Sequence, residues 1–419
     1  MSPRLCIAVL LLSTVDIPAF AGPAEPVVSP TGPDAAAYGE AQGYPVPPKD
    51  YPYEFITQAQ IVGHYSHFDQ VRDLRPVAKE GTVSALRRAA DEARPVYGYD
   101  RRIKSIDDFL QSNPITGLLI ARDDTILYEH YQYGRTDHDR FLTQSMAKTV
   151  TGMLVGIALA EGAIHSIDDT AETYVPELKG SEYGATPIQA LLTMSSGIAY
   201  KETYQPDDDS TKLIRNLVAP GAPGAVVAVT QFNARAFPPG QHFNYSSADT
   251  EVLGLVLGRA VNTTLADYLS SRIWRKLGAE ADAAWLIDPT GQELAFCCMV
   301  ATLRDWTRFG LMLAHDGAWN GQQIVPKQWI IDSTTVPADS PRAPGRLTLI
   351  LGYGYQTWLS YGERRRFSLL GIHGQSMLVD PETKMVLMST AVRPEAAGGP
   401  SGIELADLWY AVLPQYGPR

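Results

Sequence analysis

Strand-like segments lie towards both ends of this chain and a long, mostly helical stretch lies between them, which leaves few ways to assemble a fold. Near the front, residues 115–121 and 126–131 flank Arg122-Asp123-Asp124-Thr125 and read as a β-hairpin. Near the back, residues 352–360, 366–372, 376–379 and 385–392 read as successive antiparallel strands, with Asp380-Pro381-Glu382-Thr383-Lys384 supplying one turn. Between them, residues 163–335 are mostly helix and loop, with helical spacing of apolar residues over 265–277, 303–314 and 326–335. A capping box at Ser105-Ile106-Asp107-Asp108 starts a short helix that Asn113-Pro114 closes, and a last helix runs over residues 402–413. The simplest assembly is an α+β sandwich. One antiparallel sheet draws strands from both chain ends, helices flank it, and a helical region is attached. No internal repeat is visible.

The first long helix carries the chemistry. It opens around Ser145 and ends at Gly162, with Lys148 three positions after the serine. Positions i and i+3 share a helix face, so the Ser145 hydroxyl and the Lys148 amine can meet. A hydroxyl attacks only when a base takes its proton, and a lysine serves as that base when burial lowers its pKa. The apolar run Met153, Leu154, Val155, Ile157, Ala158, Leu159 supplies a buried setting. The alternative is plainer: Ser145 as a helix N-cap and Lys148 as a solvated first-turn residue. This is the only Ser-x-x-Lys in the chain.

Composition narrows the partners. Apolar residues make up 45% and charged residues 19%, ordinary for a chain with a real core. A net charge of −11 and the lack of a basic stripe argue against nucleic acid. Arg364-Arg365-Arg366 reads as a solvated hairpin tip. Residues 1–21 read as a secretory signal peptide, with Arg4 in the positive region, an apolar run from Leu5 to Val15, and cleavage after Ala21. Export to the periplasm or the medium is the expectation, with no membrane span in the mature chain. Residues 22–50 read as a flexible Pro/Gly/Ala-rich leader, residues 51–100 as an N-terminal extension, and residues 101–419 as the main domain. Cys6 falls in the removed segment. Cys297 and Cys298 adjoin in an apolar run and read as buried free thiols, since a bridge between neighbours is strained. No CxxC or HExxH occurs, so neither a metal nor another cofactor is expected.

Two further segments fit serine–lysine chemistry, which needs a proton shuttle and oxyanion donors. Tyr245-Ser246-Ser247 follows a turn and leads into a helix, where Tyr245 could act as acid or base or be a plain core tyrosine. His373-Gly374-Gln375-Ser376 lies on a strand whose glycines let backbone approach a substrate, so an N–H of Gln375 or Ser376 could donate.

In order and rough spacing, Ser145-x-x-Lys148, Tyr245-Ser246-Ser247 and His373-Gly374-Gln375 resemble the three motifs of the penicillin-recognising serine hydrolases. The resemblance runs from about residue 100 to the end. Its nearest look is to the class C β-lactamase-like branch, which includes carboxylesterases and 6-aminohexanoate-dimer hydrolases. Met194-Ser195-Ser196-Gly197-Ile198, Ala301-Thr302-x-x-Asp305 and Val379-Asp380-Pro381 are similar to that branch, and Trp285-x-x-Asp288-x-x-Gly291 leans towards the dimer hydrolases. The resemblance implies a β-lactamase/transpeptidase-like fold and an acyl-enzyme on Ser145 activated by Lys148. It implies that Tyr245 protonates the leaving group, and that the backbone N–H groups of Ser145 and of Gln375 or Ser376 hold the oxyanion. The loop from Ala199 to Asp209 would border the pocket, with Tyr200 or Tyr204 touching a small-molecule substrate. Two departures stand out. Ser247 replaces the asparagine that ends the second motif in class C β-lactamases, and His373-Gly374-Gln375 replaces Lys-Thr-Gly. The missing lysine and threonine contribute to carboxylate binding, so esterase or amidase activity is favoured over β-lactamase or D-amino-acid peptidase activity. His373 is expected to face the cleft. A silent domain that binds peptidoglycan fragments or a partner is a third reading, disfavoured because all three reacting residues are present.

Overall fold

The computed structural model describes residues 30–52 and 55–416. The expected signal peptide and residues 22–29 lie outside the described residues. The main sheet has eight strands in the order Leu351–Tyr353, Trp358–Ser360, Phe367–Gly371, Gln375–Asp380, Met385–Ala391, Ile115–Arg122, Thr125–Tyr131, Arg87–Arg88. The two chain ends join where Met385–Ala391 runs antiparallel to Ile115–Arg122, with Met385 opposite Arg122 and Ala391 opposite Ile115. Every pairing is antiparallel except the last, where Arg87–Arg88 runs parallel to Thr125 and Ile126.

Side chains alternate across the central strands, and both faces are covered. Leu118, Ile120 and Leu387 point to one side, where Phe109 of the helix Ile106–Ser112 and Leu408, Trp409 and Val412 of the helix Pro400–Tyr416 meet them. Leu119, Ala121, Val386 and Met388 point to the other, into the core that holds the helices Ala147–Ala160 and Leu303–Ala314. The result is a layered α+β sandwich.

Three expectations need correction and one needs filling in. Residues 163–335 are mostly helix and loop, as expected, but not only that. A second, four-stranded sheet in the order Leu74–Val77, Ala283–Leu286, Met299–Thr302, Arg140–Leu142 crosses them and takes in part of the N-terminal extension. Ala283–Leu286 and Met299–Thr302 are buried along their whole length, so they lack the alternation that marks a half-buried strand. Residues 352–360 are two short strands. Between them Gln356 takes φ 52° and sends its side chain into the helical layer, donating to Leu191 O at 2.9 Å and accepting from Thr250 Oγ1 at 2.8 Å. The leader is not loose over its described part. Tyr38 and Tyr44 are buried edge-on against Tyr133 at 5.2 and 5.8 Å, and Tyr38 donates to Val392 O. Finally, Arg364–Arg366 lies at a hairpin tip, but only Arg364 is well solvated there, pairing with Glu382 at 3.2 Å, while Arg366 pairs with the fully buried Asp380 at 2.7 Å and Arg365 with Asp316.

Tyr133 is the ring that holds residues 30–50 in place. Tyr133→Ala is expected to lower stability by about 3–4 kcal/mol, the usual cost of emptying a buried aromatic site. Limited proteolysis should then cut within residues 30–50 first, and an unchanged cleavage pattern would contradict this anchoring role.

Candidate active site

Ser145 sits in a single 3-10 turn, Gln144–Met146, that runs straight into the helix Ala147–Ala160. The residue before it, Gln144, is held in the left-handed region at φ 50°, an uncommon conformation for a residue with a side chain. Its amide donates to Tyr65 Oη at 3.1 Å, so a residue of the N-terminal extension helps set the entry to the turn. An N–H in the first turn of a helix has no acceptor within that helix, which leaves the Ser145 N–H free of intrahelical demands.

Lys148 is 1% exposed. Its Nζ lies 3.1 Å from Ser145 Oγ, 3.1 Å from Ser247 Oγ and 3.2 Å from the Phe296 carbonyl oxygen. Burial lowers its pKa to about 8, against the opposing pull of Glu202 and Glu251. With Lys148 neutral and Glu202 ionised, these contacts constrain which way the protons can point. Ser247 donates its hydroxyl to Glu202 Oε1 at 2.9 Å and its backbone N–H to Glu202 Oε2 at 2.7 Å. The Ser247 oxygen can therefore only accept from Lys148, and a carbonyl can only accept. A neutral amine has two N–H groups and one lone pair. With both N–H groups taken by Ser247 and Phe296, the lone pair is left for the Ser145 hydroxyl.

Tyr245 completes the cluster. Ser145 lies close enough to influence its hydroxyl. Burial and the Glu202 carboxylate push its pKa well above the usual phenol value, so it stays protonated and can donate. Its ring lies 5.0 Å from Lys148 Nζ and stacks on Trp358 at 5.4 Å, with Tyr353 edge-on at 6.1 Å. The wall beside Ser145 is aromatic.

The third motif comes close through a glycine. A Cβ on Gly371 would stand 2.4 Å from Thr143 O, so only glycine lets the sheet approach the Ser145 turn this closely. His373 takes φ 61° and its Nδ1 bonds Arg393 O at 2.7 Å. Burial lowers its pKa, so the ring is neutral near pH 7, and it meets Tyr65 edge-on at 5.9 Å. Gly374, at φ 94°, packs against Arg393. The Gln375 side chain donates to Ala391 O at 2.7 Å and spans the irregularity between Thr390 and Ala391, a structural job. Ser376 is buried opposite Leu370 and Ser389. The side chains of Gln375 and Ser376 are thus taken up within the sheet.

The structure thus brings together Ser145, Lys148, Tyr245 and Ser247. Tyr204 lies beside them, where burial and the nearby Tyr245 and Glu202 raise its pKa. Tyr200 does not join. It packs edge-on against Phe232 at 5.0 Å and lines a separate groove of about 380 Å³ with Lys201, Phe237 and His242. Glu202, Glu251 and the Phe296 carbonyl escaped the sequence reading. Glu202 lies in the loop expected to border the pocket, two residues from Tyr204, and a buried lysine needs a nearby carboxylate; that requirement was the available signal.

A family model described as Beta-lactamase matches residues 104–402. The chain belongs to the β-lactamase family. The 6-aminohexanoate-dimer hydrolase of Paenarthrobacter ureafaciens is 28% identical over 340 residues, spanning 78% of this chain and 85% of that protein. A candidate 6-aminohexanoate-dimer hydrolase structure from Bacillus anthracis superimposes with a TM-score of 0.75 at 23% identity, over 86% of this chain and 96% of the other. A D-stereospecific amidohydrolase from Streptomyces sp. gives 0.53 at 22%, over 71% and 94%. The fold is the β-lactamase/transpeptidase-like one, with mixed sheets flanked by helices.

Glu202→Gln tests the proton arrangement. Removing the carboxylate charge takes away a pull that raises the Lys148 pKa, so the acidic limb of kcat/KM should move to lower pH. The plateau should fall by about tenfold, because a side-chain amide no longer fixes the Ser247 hydroxyl. A profile superimposable on wild type would remove Glu202 from the site.

Proposed function

We propose that this chain is an exported serine hydrolase that cleaves a small carboxylic ester or an amide of the 6-aminohexanoate-oligomer type through an acyl-enzyme on Ser145. The observation that carries the reading is the buried cluster around Lys148, whose Nζ lies 3.1 Å from Ser145 Oγ and whose pKa burial lowers to about 8. In the proposed reaction, Ser145 Oγ attacks the substrate carbonyl as its proton passes to Lys148. The oxyanion is held by the N–H groups of Ser145 and of Gln375 or Ser376. Tyr245 protonates the departing alcohol or amine, and the bond to it breaks. Water then attacks the acyl-enzyme, its proton passing to the Tyr245 phenolate, while protonated Lys148 returns a proton to Ser145 Oγ as the bond to the acyl group breaks and the acid is released.

Several features support the substrate class. Phe243, Tyr353 and Trp358 around Tyr245 suit an apolar substrate chain. A neutral His373 offers no cation where a β-lactam or D-peptidase site places its lysine. The dimer hydrolase relative spans most of this chain. Export rests on the character of residues 1–21.

The test sets wild type, Ser145→Ala and Lys148→Ala against a short-chain nitrophenyl ester, the linear 6-aminohexanoate dimer and a chromogenic cephalosporin. Ester or dimer cleavage is expected, with cephalosporin left nearly intact. Ser145→Ala should abolish turnover and Lys148→Ala remove nearly all of it, on the order of 10⁴-fold or more. Undiminished hydrolysis by Ser145→Ala overturns the mechanism, and fast cephalosporin turnover puts the β-lactamase reading first. The wild-type rate should rise with pH and level off above about 8, because Lys148 acts only when neutral. A flat profile with acylation limiting would contradict it.

A further inference from the structure

Cys297 and Cys298, expected as free thiols, are joined as a disulfide between neighbouring residues. Cys298 takes φ 68°, which turns the peptide so that both sulfurs lie on one side. The pair sits in a segment fastened to the active site on both flanks. On one side, the Phe296 carbonyl accepts from Lys148, and Ala295 donates its N–H to Glu251 Oε2 at 2.9 Å. On the other, Met299 O accepts from the Thr143 N–H at 3.1 Å, two residues before Ser145. The Cys297 carbonyl is held by Trp285 Nε1 at 2.9 Å. Cys298 Sγ lies 3.9 Å from Gln144 Oε1, and Gln144 leads into Ser145.

We propose that the Cys297–Cys298 pair is a redox modification site that sets the activity of Ser145 through the Phe296 carbonyl. The proposal rests on Ser145 and Lys148 being the reacting pair. The co-reactant is a dithiol reductant. One of its thiolates attacks a sulfur of the pair, breaking the S–S bond and forming a mixed disulfide. Its second thiolate then displaces that sulfur and closes the reductant into its own disulfide. Two electrons and two protons pass to the protein. Cys298, at 8% exposure against 4% for Cys297, is the less buried of the two. Once the link is cut, nothing covalent keeps Cys298 at its positive φ, and a residue with a side chain leaves that region readily. The Cys298 thiol also gains a proton to donate to Gln144 Oε1. Movement of the 296–298 backbone withdraws one of the two acceptors that aim the Lys148 lone pair. The bridged form is the active one.

The test compares oxidised enzyme with enzyme treated with dithiothreitol, the thiol count being read by alkylation and mass spectrometry. Reduction should lower kcat/KM on the nitrophenyl ester, and the rate at which a fluorophosphonate labels Ser145, by about tenfold, a usual size for coupling between sites. Reoxidation should restore both. Phenylarsine oxide, which bridges adjacent thiols, should hold the low-activity state. Backbone hydrogen exchange over residues 143–148 should rise on reduction, a readout that needs no turnover. The variant with Cys297→Ala and Cys298→Ala should not respond to dithiothreitol; if it fails to fold, Cys298→Ala alone carries the same test. Full reduction with unchanged labelling and unchanged exchange overturns the proposal, as does a double variant that responds like wild type. Failure of the hydrolase reading is seen separately, as Ser145→Ala behaving like wild type.

Discussion

A primary amine shut away from water is the constraint on which the rest of this site depends. Burying a lysine is costly unless its hydrogen bonds are met and carboxylates stand near. Lys148 meets those terms from three directions: Ser247 from the helix behind it, Phe296 from the loop beside it, and Ser145 from its own helix. Glu202 and Glu251 act on it through space. Burial pushes the Glu251 carboxyl up to about 8 and raises Glu202 as well, so the compensation the two carboxylates give the amine weakens as the pH falls. The loop 199–209, the segment 294–299 and two helices are therefore tied to one nitrogen.

Local patterns were the readable ones. Ser145 and Lys148 at i and i+3 share a helix face, which needs no knowledge of the fold. The hairpin 115–131 and the strands after residue 366 announced themselves by alternation and turns. What escaped was made by distant partners. Ala283–Leu286 is a strand because Leu74–Val77 and Met299–Thr302 pair with it, and its own four residues are all buried. Glu202 matters because Ser247 reaches it across 45 positions. The Cys297–Cys298 bridge was discounted on the general cost of joining neighbours, and the left-handed backbone at Cys298 that permits it has no mark in the sequence. Tyr38 and Tyr44 show the converse: a Pro- and Gly-rich stretch became ordered because two of its few large side chains found Tyr133.

The third motif shows how one scaffold changes its chemistry. Its backbone still approaches the Ser145 turn, and Gly371 secures that approach. Its side chains have been turned to other work. His373 faces Arg393 O and Tyr65, and the Gln375 amide stitches two strands together. No lysine stands at His373's place, the backbone approach stays, and the facing wall is built from Tyr245, Tyr353 and Trp358.

The sheet closes where Met385–Ala391 meets Ile115–Arg122, strands more than 260 positions apart in sequence. The Ser145 helix lies between them in sequence and can form early, being local. The strand whose Gly371 rests on Thr143 O is made long after it. Pairings across such separations close late and slowly, since the loop entropy is lost before the contacts form. Ser145 and Lys148 thus meet the sheet only when the strands Phe367–Gly371, Gln375–Asp380 and Met385–Ala391 have docked, and a nascent or truncated chain carries the pair without that surface.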